Sequence, residues 1–292
     1  MREFALYLGC TTPVRLPQYE ASVKAVLEKF GIELTTMKDA NCCGAQYVES
    51  LSRPAFAALS GRILALAERE GLDILAICGA CSGSLKTVKH ELDSDRYLRS
   101  EVNDLLKDED LEYTGNVHVK HLLQIFQEDI GYNAIEEAIV RPYKGIRLAA
   151  HYGCHVTRPY EIVQVDDPEN PTIIDRIIEI AGATAVDYVG KTRCCGGPML
   201  AVDEPVANKI GMEKIENLQN VGVQGLVTAC VFCEIQLTQV QFGEGLDPKN
   251  RVPVLSLPQF LGPAIGIDMN ALGTYLNKIP PDNIFASLAE AK

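Results

Sequence analysis

The ten cysteines of this chain form two sets with nearly the same spacing. Each set consists of a single cysteine, then a Cys-Cys pair, then a Cys-x-x-Cys. The first set comprises Cys10, Cys42, Cys43, Cys78 and Cys81, and the second set comprises Cys154, Cys194, Cys195, Cys230 and Cys233. In both sets 34 residues separate the pair from the Cys-x-x-Cys, so the last four positions differ by 152 throughout. A pattern that recurs in register indicates an internal duplication, and we expect two similar folded units.

The residues around the cysteines agree with a first and a second copy of one unit. Glycine follows the Cys-Cys pair in both copies, as Gly44 and Gly196. The gap before the pair is 31 residues in the first copy and 39 in the second, and the polar loop over residues 166–171 is the expected place of the extra eight. Because 292 residues also exceed one ordinary core, we predict two domains, over residues 1–140 and 141–292.

Short apolar runs alternate with amphipathic stretches along the whole chain, which predicts an α/β fold. We predict strands over residues 3–8, 32–36, 74–77, 147–150, 185–189 and 226–229, and helices over residues 19–30, 53–70, 82–92, 172–181, 206–220 and 234–241. Strands and helices that alternate in this way form parallel sheets with helices on both faces. The predicted architecture is therefore two duplicated, Rossmann-like parallel-sheet domains, and the duplication suggests that a pseudo-twofold axis relates them.

Four of the cysteines come just after predicted strands: Cys10, Cys78, Cys154 and Cys230. Open α/β sheets bind ligands at the carboxyl ends of their strands. Each set should therefore gather at one edge of its own sheet, and the pseudo-twofold should make the two edges face each other. The second cysteine of each Cys-x-x-Cys is expected at the start of a helix, where the helix dipole favours a thiolate.

Five thiols at one site are most typical of an iron–sulfur centre, and a fifth ligand suggests an opened cluster or a spare thiolate. Three alternatives stay open. Cysteines that only fill a core explain a repeated register poorly. Disulfides are rare in a reducing cytosol, and the side chains of neighbours such as Cys42 and Cys43 diverge. Zinc would use four thiolates and leave the fifth without a metal.

Charge and hydrophobicity disfavour several kinds of partner. The chain has 39 acidic residues and 27 lysines and arginines, a net charge of −12, which opposes sequence-independent binding of nucleic acid. No apolar run approaches the roughly 18 residues of a membrane span. The acidic Glu3 also interrupts the N-terminal segment where a signal peptide would be apolar. We therefore expect a soluble, cytoplasmic protein with no nucleic-acid or membrane partner.

The doubled Cys…Cys-Cys-Gly…Cys-x-x-Cys pattern resembles that of the cysteine-rich CCG domain family. Two such domains in a chain of this length, with no ferredoxin motif attached, are similar to the family of B-type subunits of heterodisulfide reductase from methanogenic archaea. Related CCG proteins take part in thiol-dependent fumarate reduction and in the oxidation of lactate and glycerol-3-phosphate. The gap after the Cys-Cys pair is a residue or two shorter here than in the usual family pattern, equally in both copies.

This resemblance implies a cofactor, a reaction and partners. Each set of five cysteines would hold one noncubane [4Fe-4S] cluster. The two clusters would reductively cleave the mixed disulfide of coenzyme M and coenzyme B, as the last step of methanogenesis. Electrons would come from two other heterodisulfide reductase subunits, one an iron–sulfur protein and one an electron-bifurcating flavoprotein, joined to a hydrogenase or a formate dehydrogenase. The alternative is a non-catalytic electron-relay subunit of another CCG-containing oxidoreductase.

Two further groups of residues lie near the cysteines of the second copy only. His151 and His155 flank Cys154 and are candidate proton donors to a product thiolate, or else histidines that support the site or lie at the surface. Lys191, Arg193 and Arg158 are candidate contacts for the sulfonate, phosphate and carboxylate groups of the two coenzymes, or else solvated surface charges.

Overall fold

Two four-stranded parallel sheets form the centre of the computed structural model, which describes residues 2–243 and 246–289. The strands are Arg2–Tyr7 (β1), Ile32–Thr36 (β2), Asp73–Ala76 (β3), Val119–His121 (β4), Arg147–His151 (β5), Thr184–Ala185 (β6), Gly225–Thr228 (β7) and Val254–Ser256 (β8). The strand order is β2-β1-β3-β4 in the first sheet and β6-β5-β7-β8 in the second. Because the two orders correspond strand for strand, the predicted α/β class and the duplication are both confirmed.

The central strands of each sheet are apolar along nearly their whole length because helices cover both faces. Leu6 of β1 lies opposite Leu75 of β3, and Ala150 of β5 lies opposite Val227 of β7. All four side chains are fully buried. This common register makes the last residue of β1, Tyr7, equivalent to the last residue of β5, His151.

Fifteen α-helices surround the sheets in the described part of the chain. They are Thr12–Arg15 (α1), Pro17–Lys29 (α2), Tyr47–Leu51 (α3), Arg53–Glu70 (α4), Gly79–Ser94 (α5), Arg96–Leu106 (α6), Leu122–Gln124 (α7), Tyr132–Ala138 (α8), Cys154–Thr157 (α9), Tyr160–Val163 (α10), Ile173–Ile180 (α11), Glu204–Asn220 (α12), Val231–Gln239 (α13), Leu257–Ala264 (α14) and Asp282–Phe285 (α15). A π-helix over Ile125–Ile130 continues α7. Among these residues, every helix is too short or too polar to cross a bilayer.

Most predicted elements are present, and the helix over 53–70 has the predicted bounds. The strand predicted over 185–189 is wrong in extent, since β6 ends at Ala185. The apolar residues of this segment suggested a longer strand, but the Val189 side chain is 68% exposed and does not belong to the sheet. The prediction also missed β4 and β8, which are three residues long and too short to show a periodic pattern.

Helices of each copy pack against helices of the other. Helix α14, which follows the last strand of the second sheet, packs on α2 of the first copy. In the opposite direction, α9 and α10 of the second copy pack on α5 of the first. The predicted domain boundary between residues 140 and 141 falls between α8 and β5. Because helices of each copy pack on helices of the other, this boundary stays a prediction.

Candidate metal centre

A glycine stands between the first strand of each sheet and the first cysteine of each set. Gly9 has φ 69° and Gly153 has φ 78°, so both adopt the left-handed conformation that favours glycine. A Cβ on Gly9 would lie 2.9 Å from the Cys81 Sγ, and a Cβ on Gly153 would lie 3.2 Å from the Cys233 Sγ. Glycine therefore lets this loop approach the Cys-x-x-Cys closely in both copies.

The Cys-x-x-Cys of each set opens a helix. Cys78 precedes α5 and Cys230 precedes α13, each with extended backbone in the capping position. Cys81 and Cys233 are the third residues of these helices, in the first turn, as the sequence predicts. The helix dipole at this end favours the negatively charged thiolate form of all four cysteines.

The thiols of the first set converge. The Sγ atoms of Cys42 and Cys10 are 3.5 Å apart, and those of Cys43 and Cys81 are 3.7 Å apart. The backbone amide of Gly44 donates to the Cys42 Sγ at 3.4 Å. Sulfur atoms at these separations, with an amide directed at one of them, form a compact donor set.

The second set repeats this arrangement and touches the first. The amides of Gly196 and Gly197 donate to the Sγ atoms of Cys194 and Cys195, at 3.3 and 3.4 Å. The Sγ atoms of Cys78 and Cys230 lie 3.8 Å apart, although 152 residues separate them in the chain. Equivalent residues of two copies meet in this way beside a twofold axis, so the two sets occupy one continuous region.

Burial follows the same plan in both sets. All ten cysteines are free, and in each set the second cysteine of the pair and both cysteines of the Cys-x-x-Cys are buried. The remaining two lie nearer the surface: Cys10 and Cys42 are exposed, and Cys154 and Cys194 are partly exposed. Each set is therefore a pocket with a buried floor and two thiols at its mouth.

Hydrogen bonds between neighbouring thiols shift the pKa values of the cysteines. Hydrogen bonds from Cys42 and Cys81 hold the pKa of the buried Cys43 thiol well below its ordinary value. Hydrogen bonds from Cys154 and Cys195 likewise lower the pKa of Cys194. Each set therefore contains thiolates, which are the form that binds metal. Ten converging thiols and glycines that open space beside them fit an iron–sulfur group in each set.

Two cavities at the cysteines share part of their walls. One contains all five cysteines of the first set, and the other contains Cys154, Cys195, Cys230 and Cys233. Gln46, Ala80 and Phe232 line both cavities. A molecule at these three side chains would therefore contact the two sets at once.

Both predicted histidines lie at the second set. His151 is fully buried, its Nδ1 donates to the Lys191 carbonyl at 3.2 Å, and one of its ring nitrogens lies within 4.8 Å of the Sγ atoms of Cys195 and Cys233. Burial lowers the pKa of His151 to about 3, so the imidazole is neutral at pH 7. His155 is partly buried, with its Nδ1 3.2 Å from both the Cys154 Sγ and the Gln46 Nε2.

The three predicted basic residues all have partners within the protein. The Lys191 Nζ lies 2.9 Å from an Asp175 carboxylate oxygen in a mostly buried pair. The more exposed Arg193 pairs with Glu213 at 3.3 Å. Arg158 donates to the Pro168 carbonyl at 2.7 Å and pairs with Glu169 at 3.2 Å. A role for any of them in binding substrate stays a prediction. Arg193 directly precedes the second Cys-Cys pair, and its side chain is exposed to solvent.

Sequence reasoning missed His121, which joins the copies next to the cysteines. It ends β4, and its Nε2 donates at 3.0 Å to the carbonyl of Ala229, the residue before Cys230. Its Nδ1 accepts from the Leu123 amide at 3.2 Å, which fixes the neutral tautomer. His121 was not predicted because β4, the strand that it ends, was not predicted.

Lys214 and Gln46 were also missed. Lys214 is buried in α12, and its ammonium donates to the Gly190 carbonyl in the loop that leads to the second Cys-Cys pair. The repeat itself holds a signal for it, because the position 152 residues earlier is also basic, Arg62. Gln46 reaches across to His155 from the loop after the first pair, and no sequence pattern marks it.

Comparison with known proteins agrees with this site. The profile of the family described as "Cysteine-rich domain" (CCG) matches residues 4–86 and 148–238. The chain is 32% identical, over 99% of its length and 98% of the relative, to the B-type subunit of the ferredoxin/F420H2-dependent CoB-CoM heterodisulfide reductase of Methanosarcina acetivorans. It is 30% identical, over 95% of its length and 97% of the relative, to the 8-methylmenaquinol:fumarate reductase membrane anchor subunit of Wolinella succinogenes.

A solved structure of a hypothetical protein from Helicobacter pylori has the same fold. It superposes with a TM-score of 0.75 and 17% identity over 94% of this chain and 51% of that chain. The two family matches fall on the two sheets and each contains one full set of cysteines. The chain therefore belongs to the cysteine-rich CCG domain family and, within it, to the iron–sulfur oxidoreductase family of the B-type subunits of heterodisulfide reductase.

Proposed function

We propose that this chain is the catalytic subunit that reductively cleaves the mixed disulfide of coenzyme M and coenzyme B, as the last step of methanogenesis. Each set of five cysteines would hold one noncubane [4Fe-4S] cluster. The observation that carries the proposal is the 3.8 Å contact between the Sγ atoms of Cys78 and Cys230, which makes the two sets neighbours. The similarity over nearly the whole length to a B-type subunit of heterodisulfide reductase supports the choice of substrate.

The shared wall of the two cavities suits a disulfide. Cleavage to two thiols takes two electrons and two protons, and two bound clusters would supply one electron each. A disulfide lying along Gln46, Ala80 and Phe232 would present one sulfur to each set, since these residues line both cavities. The apolar Ala80 and Phe232 side chains would also exclude water from the sulfur atoms.

Of the two candidate proton donors, His155 has the better position. Its ring lines the cavity of the second set, where the Gln46 amide holds it beside Cys154. The His151 ring is buried, and its only N–H is already donated to the Lys191 carbonyl. We therefore assign proton delivery at the second set to His155 and a supporting role to His151.

The proposed complex follows from the relatives. The Methanosarcina protein is named as one subunit of a heterodisulfide reductase, which places it in a multi-subunit enzyme. We extend this to partners of the present chain: the flavoprotein subunit that bifurcates electrons, the iron–sulfur subunit, and a hydrogenase or formate dehydrogenase. A cytoplasmic location and division into domains at residues 1–140 and 141–292 belong to the same proposal.

Metal analysis and turnover test the proposal together. The protein purified without oxygen should contain about eight irons and a similar amount of acid-labile sulfide per chain. With a reduced viologen dye as electron donor, it should release two thiols for each molecule of the coenzyme M–coenzyme B disulfide consumed. Stoichiometric zinc without sulfide would contradict the cofactor, and full iron content without turnover would contradict the catalytic role.

The second candidate is a non-catalytic electron relay. The 30% identity to a protein of a fumarate reductase favours it, because that relative is named as the anchor of an enzyme with a different substrate. A relay subunit would be reduced by the dye and would pass electrons only to a partner protein. Unchanged spectra of the dye-reduced protein after addition of the disulfide would favour the relay.

A further inference from the structure

Two basic residues occupy equivalent positions in the two copies but have different surroundings. Arg62 in α4 and Lys214 in α12 differ by 152 residues, the same offset that relates the cysteines. Arg62 binds the Glu109 carboxylate through its Nε at 2.8 Å and its Nη2 at 2.6 Å. Lys214 is only 4% exposed, and no carboxylate of residues 2–243 or 246–289 forms a salt bridge with it.

The ammonium of Lys214 lies against the loop that leads to the second Cys-Cys pair. It donates to the Gly190 carbonyl and lies 5.5 Å from the centroid of the Tyr188 ring. Burial lowers the pKa of Lys214 to about 8, while the thiols of Cys233, Cys195 and Cys194 act in the opposite direction. Among these three cysteines, Cys194 has a lowered pKa and is therefore the thiolate that acts on this buried cation.

The equivalent cation of the first copy, Arg62, has different surroundings. Arg62 contacts the loop before Cys42 only through the Asp39 carbonyl and the Asn41 side-chain oxygen, at 2.9 and 3.0 Å. Its charge is neutralised at the surface by Glu109. The two sets thus have matching thiols but a different electrostatic field around them.

We infer that Lys214 makes the metal centre of the second set more readily reduced than the metal centre of the first. The inference rests on the proposed function, which places one iron–sulfur centre in each set. Reduction adds a negative charge to a centre, and a buried positive charge nearby stabilises the reduced form. We expect the effect to be on the order of tenfold in the ratio of reduced to oxidised centre, which equals about 59 mV for one electron.

An anaerobic redox titration followed by electron paramagnetic resonance tests this inference. The signal that a Cys194→Ser variant loses identifies the second centre. In Lys214→Met its midpoint potential should become more negative, while that of the first centre should stay unchanged. Lys214→Arg, which keeps the charge, should restore most of the potential, and the matched control Arg62→Met should shift neither signal.

Further comparisons keep the test decisive. Lys214→Gln removes the charge but retains a donor for the Gly190 carbonyl, and it replaces Lys214→Met if that protein does not fold. In the wild-type protein the second centre must titrate at the higher potential, and the reverse order would overturn the inference. An unshifted potential in a variant with full iron and sulfide would overturn it as well. Absence of iron and sulfide from the wild-type protein would instead defeat the proposed function, and the inference with it.

Discussion

The first and second cysteine sets share their spacing, their strand order and their buried floor, yet their surroundings differ. At the end of the first strand, the first copy has Tyr7, whose hydroxyl donates to the Asn41 carbonyl at 2.9 Å. The second copy has His151 at the same place, bound to the Lys191 carbonyl. The basic residue that follows the pair is paired at the surface in the first copy and buried in the second, as Arg62 and Lys214.

This comparison separates what holds the cysteines from what tunes them. The features common to both copies are the left-handed glycines, the helix starts and the close amides, and all of them position sulfur. The features that differ are hydrogen-bonding and charged side chains around that sulfur. The proposed substrate, a mixed disulfide, has two unlike halves, and different surroundings on a common scaffold would suit it.

The largest effect is expected from removing a thiol of one pair. Cys42→Ser should lose the centre of the first set and Cys194→Ser that of the second, so each variant should keep about half of the wild-type iron. The remaining paramagnetic signal serves as the internal control. Cys78→Ser should disturb both signals, because Cys78 contacts Cys230 of the other set. Loss of both centres in every variant would show that the chain holds one shared site.

An intermediate effect is expected where the last strands of the sheets end, at His121 in the first copy and Ser256 in the second. Burial, together with the charge of Lys86, lowers the pKa of His121 from 6.5 to about 4, while the Cys230 thiol acts in the opposite direction. The unfolded chain therefore takes up the proton first, and the free energy of unfolding should fall as the pH drops from 6.5 to 4. The loss should be on the order of 3 kcal/mol below pH 4.

Urea unfolding of wild-type protein and His121→Gln across this pH range measures that loss. The difference in unfolding free energy between the two proteins should shrink as the pH falls, since glutamine does not titrate. Ser256→Ala is the matched control from the second copy, and its difference from wild type should stay constant with pH. A constant difference for His121→Gln as well would contradict a buried, neutral histidine.

The smallest effect is expected at the mouth of the second set. Arg193→Gln should raise the KM for the proposed disulfide substrate by about fivefold and leave both centres intact, because a solvent-exposed charged contact is worth about 1 kcal/mol. The arginine is 67% exposed and its partner Glu213 is 60% exposed, so a substrate anion could displace that partner. Lys191→Met provides the contrast, with a lower unfolding free energy because Asp175 loses its buried partner. An unchanged KM for Arg193→Gln would make Arg193 a surface charge only.

Long, repeated features could be predicted from the sequence, and short or long-range ones could not. Helix α4 was predicted with its observed bounds because its periodic pattern spans 18 residues. Strands β4 and β8 were not predicted because each has only three residues. Their last residues, His121 and Ser256, were therefore not predicted either. The strand predicted over residues 185–189 was too long because Val189 is apolar but exposed. The residue type alone does not show whether other residues will bury a side chain.

The cysteine spacing was sufficient to predict the duplication and two sets of five thiols, and the alternation of apolar runs with amphipathic stretches was sufficient to predict the α/β class. These are local properties, because spacing along a chain is retained when the chain folds. Only the folded chain could show that Cys78 meets Cys230, that Gln46 reaches His155, and that a buried Lys214 binds the loop before the second pair. Such contacts join residues that are distant in sequence, and they depend on how the two sheets dock and on which side chains lose water when they do.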